Sequence, residues 1–235
     1  MSVIGDAGEV DVWTPSAVAA RIQHTLLRPD ATQDDVERHC RECLEFGFDA
    51  AMIAGNWLPV GRRVLAGSSV KLASAVDFPL GIMTSAGKVA EARALVEAGA
   101  RELDIMVNVG WLRSGLDREF RDDIARVVEA ARPAVVKVML ELPLLTPSER
   151  DRAVDLAVDA GVGFVKNASS SAVGLATVNE IRYLRQRAPA TVGVKASGGI
   201  KSWEHAVELF DAGAALVGSS AGVAIVLRQA GAVSY

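Results

Sequence analysis

Eight short apolar runs, separated by amphipathic segments of about ten to eighteen residues, are the feature of this 235-residue sequence that most narrows what it can fold into. The runs occupy 22–27, 49–54, 70–76, 102–108, 134–142, 163–167, 191–196 and 214–218. Each run followed by a helical segment reads as one βα unit, because the helix carries the chain back across the sheet to begin the next parallel strand. Eight such units in about 210 residues fit a small (β/α)8 barrel. An open doubly wound sheet needs fewer strands and a glycine-rich nucleotide turn near its start, and neither GxGxxG nor GxxxxGK[ST] occurs. We therefore expect an α/β fold, a single TIM barrel over 1–235 with an extra N-terminal helix, a flexible lead-in at 1–12 and a flexible tail at 226–235. Thr14-Pro15 starts the extra helix with an N-cap and a proline at its first position. Thr32 with Asp35, and Thr146 before Pro147, mark later starts, and Gly47, Gly99, Gly161 and Gly213 mark helix ends.

Half of the residues are hydrophobic and 23% are charged, enough to bury a large core and too few charges for a disordered chain. Lys plus Arg is 25 against 29 Asp plus Glu, a net charge of -4 that gives no general attraction to nucleic acid or anionic lipid. No run reaches the roughly 18 apolar residues of a membrane span, and the acidic opening lacks the basic start of a secretory signal. A cytoplasmic protein without nucleic-acid or membrane partners is expected. Cys40 and Cys43 lie three residues apart in a polar helical segment with no second ligand pair, which reads as structural. His24, His39 and His205 are scattered without metal-ligand spacing, so no metal is expected. His24 reads as a packed histidine and His205 as solvent-facing, while Trp57, Trp111 and Trp203 follow strands and either line the barrel mouth or cap its rim.

Alternate residues of a strand face opposite sides. Asp104, Met106 and Asn108 therefore share a face of the fourth run, Lys137, Met139 and Glu141 share a face of the fifth, and Lys166 and Lys195 stand at the ends of the sixth and seventh. Charges in apolar strands need partners or a function, because desolvating a lone charge costs several kcal/mol. Barrels of this class carry their chemistry at the C-terminal ends of the strands, where Lys166, Lys195, Asn108 and Glu141 fall. Lys137 and Asp104 lie deeper, where a mutual ion pair is the structural alternative. Two lysines on neighbouring strands depress each other's pKa and leave one as an amine nucleophile for carbonyls. A Schiff-base lyase needs that amine, plus a carboxylate to carry protons while the carbinolamine dehydrates and a C–C bond breaks, a role open to Asp104. Gly198-Gly199 after the seventh run and Ser219-Ser220 after the eighth stand where such barrels bind phosphate. The expected substrate is a phosphorylated small carbonyl compound.

The segments IQHTLLRPDATQDDV, DFPLG, ELDIMVNVGWLRSG, KVMLELPLLTPSE, GFVKN and GVKASGGIKSWEHA together resemble the deoxyribose-phosphate aldolases, from about residue 20 to 225. The resemblance implies a class I aldolase that reversibly splits 2-deoxyribose 5-phosphate into acetaldehyde and glyceraldehyde 3-phosphate, as a homodimer and without metal or other cofactor. It further implies that Lys166 forms the Schiff base, Lys195 lowers its pKa and Asp104 relays protons, with Gly198, Gly199, Ser219 and Ser220 holding phosphate. Tyr235 matches the terminal tyrosine that in members of the family reaches the active site for proton transfer.

The chain departs from the family where substrate is recognised. The family's I-D-H-T-L-L begins Ile22-Gln23-His24 here, so Gln23 brings a neutral amide to a position beside the substrate hydroxyls. T-S-T-G after the Schiff-base lysine becomes Asn167-Ala168-Ser169-Ser170, which sets Ser170 where a glycine lets backbone approach phosphate. C-V-N-P of the second strand becomes Met52-Ile53-Ala54-Gly55, and A-N-T-T after FPLG becomes Ile82-Met83-Thr84-Ser85. Lys137, Glu141 and Asn108 are expected to support the reacting groups from behind. Two readings stand beside the main one. A Schiff-base lyase for a different, unphosphorylated aldehyde or ketone is favoured by Gln23 and by 167–170, whereas a sugar-phosphate-binding barrel without catalysis is disfavoured by the buried lysine pair. A metal-dependent aldolase ranks last.

Overall fold

In the computed structural model, which describes residues 13–229, the eight runs form eight parallel strands that close into a barrel in chain order. The strands are β1 (Ile22–Leu26), β2 (Ala50–Ile53), β3 (Lys71–Val76), β4 (Glu102–Met106), β5 (Val135–Met139), β6 (Phe164–Lys166), β7 (Gly193–Ser197) and β8 (Leu216–Ser219), with β8 pairing back onto β1. The helices are α1 (Pro15–Ala19), α2 (Gln33–Phe46), α3 (Leu58–Val64), α4 (Ser85–Glu97), α5 (Val109–Arg113), α6 (Asp117–Ala130), α7 (Pro147–Asp159), α8 (Val178–Arg187), α9 (Trp203–Asp211) and α10 (Gly222–Val226). The extra helix α1 buries Val18 and Ala19 and packs beside α10. Among the described residues no helix is long and apolar enough to cross a membrane.

Local chemistry starts and stops these elements as the sequence predicts. Thr32 and Asp35 bond reciprocally at the head of α2, as do Thr146 and Glu149 at the head of α7. Gly47 ends α2 with a φ of 67°, a left-handed turn that a β-carbon would strain. Five of the strands, β1, β2, β4, β5 and β6, end before their apolar runs do, because the last residues of those runs leave the ladder to build loops. The 134–142 run stops pairing at Met139, and Glu141 takes a left-handed φ of 54°.

Strand parity separates two interiors. In β4, Leu103 and Ile105 point outward into the apolar layer between strands and helices, whereas Glu102 and Asp104 point into the barrel. Val136 and Val138 of β5 share that outer layer, and Lys137 faces inward. Burying such side chains stabilises the fold by about 1.5–3 kcal/mol each. Inside the barrel the apolar residues are few and mostly small, with Ala50, Met52 and Ala73 forming a cluster apart from the main core. Small side chains on β2 and β3, and Gly218 on β8, leave room for long charged ones from β4 to β7.

Candidate active site

A cavity of about 490 Å³ opens at the C-terminal ends of the strands, with Asp104, Lys166 and Lys195 on its wall. Parallel register sets Lys166 of β6 directly beside Lys195 of β7, and Asp104 of β4 beside Lys137 of β5. Both amines converge on one oxygen, for Asp104 Oδ2 accepts from Lys166 Nζ at 3.0 Å and from Lys195 Nζ at 2.6 Å. Asp104 Oδ1, buried and accepting no hydrogen bond among the described residues, lies 3.4 Å from Lys137 Nζ.

A second cluster lies below this one. Lys71 Nζ is 2.7 Å from both Asp49 Oδ1 and Glu102 Oε1, and Lys137 Nζ is 2.5 Å from Glu102 Oε2. Gln23 joins the two clusters. Its Nε2 donates to Asp49 Oδ2 at 2.9 Å and to Glu102 Oε2 at 2.5 Å, while its Oε1 accepts from Lys195 Nζ at 2.6 Å.

Burial opposes ionisation of both carboxyls, but the lysines outweigh it. Lys137 and Lys71 bring Glu102 down to about 2, and Lys195, Lys166 and Lys137 hold Asp104 far below the usual carboxylate range. Lys195 moves the other way: burial, helped by Lys166 and Lys137, overcomes the attraction of Asp104 and lowers it to about 7. Lys195 is the more deeply buried of the two amines. Because both amines touch one carboxylate oxygen, a proton can pass between them over less than 6 Å of hydrogen-bonded path, the sum of the two contacts.

Three loops complete the cavity. Ser169, Ser170 and Ser171 follow β6, Gly198 and Gly199 follow β7, and Ser219 and Ser220 close β8. Gly198 has a φ of 114°, and a β-carbon there would lie 2.3 Å from the Gly174 carbonyl oxygen, so backbone alone fits this turn. Ser219 Oγ donates to the Ile200 carbonyl at 2.6 Å and accepts from the Ala221 N–H at 2.9 Å, which ties the β8 loop to the β7 loop. Asn167, fully buried, accepts from the Ser197 N–H through Oδ1 at 2.9 Å and so fixes the β6 and β7 loops to each other. Arg28 and Lys201 add cationic side chains to the wall.

Several residues expected at the site do not line the cavity. Gln23 does not line the cavity but sits beneath its floor, fully buried. Asn108 caps α5, its Oδ1 accepting the Trp111 N–H at 3.1 Å, since β4 has already ended at Met106. Glu141 shares no face with Lys137, because its left-handed backbone turns it toward the loop after β6, where Oε1 accepts the Ser169 N–H at 2.6 Å. Burial pushes its carboxyl up. His205 is half-buried rather than solvent-facing and bonds the Ala176 carbonyl at 3.0 Å. Trp57, Trp111 and Trp203 do not line the cavity. Tyr235 lies outside the described residues.

The outer layer holds a surprise of its own. His24 and His39 stack with ring centroids 4.2 Å apart, and His24 Nε2 is 3.0 Å from Glu42 Oε2. Their ligand atoms fall within 4.8 Å of one another, a grouping that linear spacing hides. The rings lie nearly parallel, at 19°, so lone pairs in the two ring planes do not aim at a common ion. Cys40 and Cys43 are buried free thiols, Cys40 raised to about 11 by burial and Cys43 also raised. Sequence reasoning missed Asp49, Lys71 and Glu102, as well as Arg28 and Lys201.

Residues 20–229 match the family described as DeoC/LacD family aldolase. A deoxyribose-phosphate aldolase of Brevibacillus brevis is 42% identical over 87% of this chain and 93% of its own length. One of Alkaliphilus oremlandii is 40% identical, over 89% of this chain and 95% of its own. The solved deoxyribose phosphate aldolase of Aeropyrum pernix, described as a unique tetramer, superposes with a TM-score of 0.84 at 33% identity and covers 91% of each chain.

Proposed function

The chain belongs to the DeoC/LacD aldolase family and is a carbon–carbon lyase, and from that premise we propose that it cleaves 2-deoxyribose 5-phosphate to acetaldehyde and glyceraldehyde 3-phosphate through a Schiff base on Lys166. The observation that carries this reading is the single oxygen, Asp104 Oδ2, within hydrogen-bond reach of both lysines. The name shared by the relatives supports the substrate.

The chemistry follows from the contacts. Lys166 as a free amine attacks the aldehyde carbon of the open-chain sugar, and the carbinolamine loses its hydroxyl as water with a proton relayed from Lys195 along Asp104. The resulting iminium is an electron sink. Transfer of the proton on the third carbon's hydroxyl back through Asp104 to the now neutral Lys195 lets the bond between the second and third carbons break, which yields glyceraldehyde 3-phosphate and an enamine on Lys166. Protonation of the enamine at its terminal carbon and hydrolysis of the iminium release acetaldehyde and restore the amine. Lys137 acts from beneath, holding Asp104 ionised.

Phosphate fits the far end of the cavity, where Gly198, Gly199, Ser170 and Ser220 lie with Lys201 and Arg28. Ser219 contributes by lashing two of these loops together. For Tyr235 we propose proton transfer at the enamine carbon, tested by its removal. The proposal includes a cytoplasmic homodimer, and light scattering on the purified chain separates that assembly from the tetramer of the Aeropyrum pernix relative.

Borohydride reduction in the presence of deoxyribose 5-phosphate or acetaldehyde tests the chemistry. The expected result is an adduct mapped to Lys166 and lost in Lys166→Ala. Trapping by unphosphorylated 2-deoxyribose as efficient as by its phosphate would overturn the substrate, and no adduct from any of these carbonyl compounds would overturn the Schiff base.

A further inference from the structure

The barrel interior contains an imbalance that Gln23 governs. Seven charged residues form the ion-paired network of this interior. Asp49 precedes β2, Lys71 begins β3, Glu102 and Asp104 lie on β4, and Lys137, Lys166 and Lys195 come from β5, β6 and β7. From β8 the neighbour of Gln23 in register is Gly218, which has no side chain. The lower cluster is matched, with Lys71 and Lys137 against Asp49 and Glu102. The upper cluster is not, because within ion-pair distance Lys166 and Lys195 share only Asp104, which Lys137 also approaches; Glu141, from the loop after β5, acts on Lys166 from farther away and accepts the Ser169 N–H.

Gln23 occupies the one place where Lys195 meets a further partner. The network also fixes which way its amide points. With Oε1 toward Lys195, the NH2 group serves two carboxylates, and the flipped amide would set its oxygen against both of them. The amide therefore gives Lys195 an acceptor without a charge, and it donates downward to carboxylates that would repel an anion placed here.

We propose that Gln23 sets the resting protonation of the Lys166–Lys195 pair: its neutral amide leaves the upper cluster one carboxylate short, so that the pair holds a single proton and one amine stands ready for the carbonyl. Gln23 is a positioning residue in this scheme, since it reaches the substrate only through Lys195. The lowered proton affinity of Lys195 agrees with the charge count. The inference rests on the Schiff-base reading above and adds to it a residue that decides the pH range in which the amine is free.

Two substitutions test it. Gln23→Glu adds a carboxylate of nearly the same shape beside Lys195. The double variant Gln23→Glu with Glu102→Gln keeps the total number of carboxylates and moves one from the lower cluster to the upper, so that the new glutamate faces one carboxylate, Asp49, instead of two, with Lys195 beside it to favour its ionised form. The readouts are the pH dependence of kcat/KM for cleavage of deoxyribose 5-phosphate and of cyanoborohydride trapping of acetaldehyde on Lys166, both between pH 5 and 9. An opposite charge at hydrogen-bond distance raises an amine's pKa by about 1–3 units, so the acid limb should move to higher pH by at least about one unit in the double variant, and trapping at neutral pH should fall roughly tenfold. A limb that stays in place in a folded double variant that still traps at high pH would overturn the role of Gln23. Failure of the unaltered chain to trap at any pH would instead overturn the Schiff-base reading, so the two failures are distinct.

Discussion

The lower and upper halves of the barrel interior use the same kinds of group in different proportions. Below, two lysines meet two carboxylates, and Glu102 is held near 2 by the cations around it. Above, two lysines crowd one carboxylate, and Lys195 falls to about 7. In the proposed mechanism the matched cluster exchanges no proton, whereas the mismatched one passes a proton between its amines through Asp104. On the reading proposed above, a buried charge cluster becomes reactive through a deficit of partners, with an ion-paired layer of two lysines and two carboxylates beneath it.

Substitutions at the two levels should separate function from stability. Asp104→Asn removes the upper carboxylate and should lower kcat/KM by about 10³-fold, because general acid–base relay of this kind contributes 10²–10⁴, with the fold retained by circular dichroism. Glu102→Gln should show the reverse pattern. Breaking a buried pair costs about 3–5 kcal/mol, so its denaturation midpoint should drop sharply while kcat of the folded protein stays within about tenfold. If Glu102→Gln cost more in catalysis than in stability, the two levels would not be separable in this way.

Titration sharpens the comparison. A second proton enters the lysine pair as pH falls through the depressed value of Lys195 and leaves neither amine free, so kcat/KM should decline on the acid side with an apparent midpoint at about 7. Glu102 responds to a different range. Its folded value lies below its unfolded 4.5, so its stabilising contribution is complete above about 4.5 and disappears as pH falls toward about 2. Denaturation midpoints measured between pH 6 and 2.5 should show that loss, and Glu102→Gln should flatten it. The smallest effect belongs to the cavity's outer end. Gly198→Ala forces the turn away from the Gly174 carbonyl and should raise KM for the phosphorylated substrate by about tenfold, with kcat little changed.

The legible parts of this molecule are those with local causes. Strand alternation, the caps at Thr32 and Thr146 and the left-handed Gly47 all follow from residues within a few positions of one another. Lys166, Lys195 and Asp104 were visible because a charge inside an apolar run has no local excuse. Lys71 and Glu102 open their strands, where a charged residue reads as a flank, and only barrel closure encloses them. Glu141 and Asn108 mislead for a related reason: alternation holds only as far as Met139 and Met106, beyond which the backbone no longer follows the pleat. The stack of His24 on His39 joins a strand to the following helix, and no period along the chain encodes it.

The contact between Gln23 and Lys195 spans 172 positions and joins the first strand to the seventh. Folding must therefore assemble nearly the whole barrel before Lys195 enters the surroundings that lower it from 10.5 to about 7. At pH 8 the unfolded chain carries that ammonium and the native chain has largely given it up. Closure is accordingly a chemical event as well as a geometric one, and a chain refolding in weak buffer should release nearly one proton from this lysine. The thiols of Cys40 and Cys43, which burial keeps protonated, take back only a part. An indicator dye would then time the closing of the ring from the solvent side.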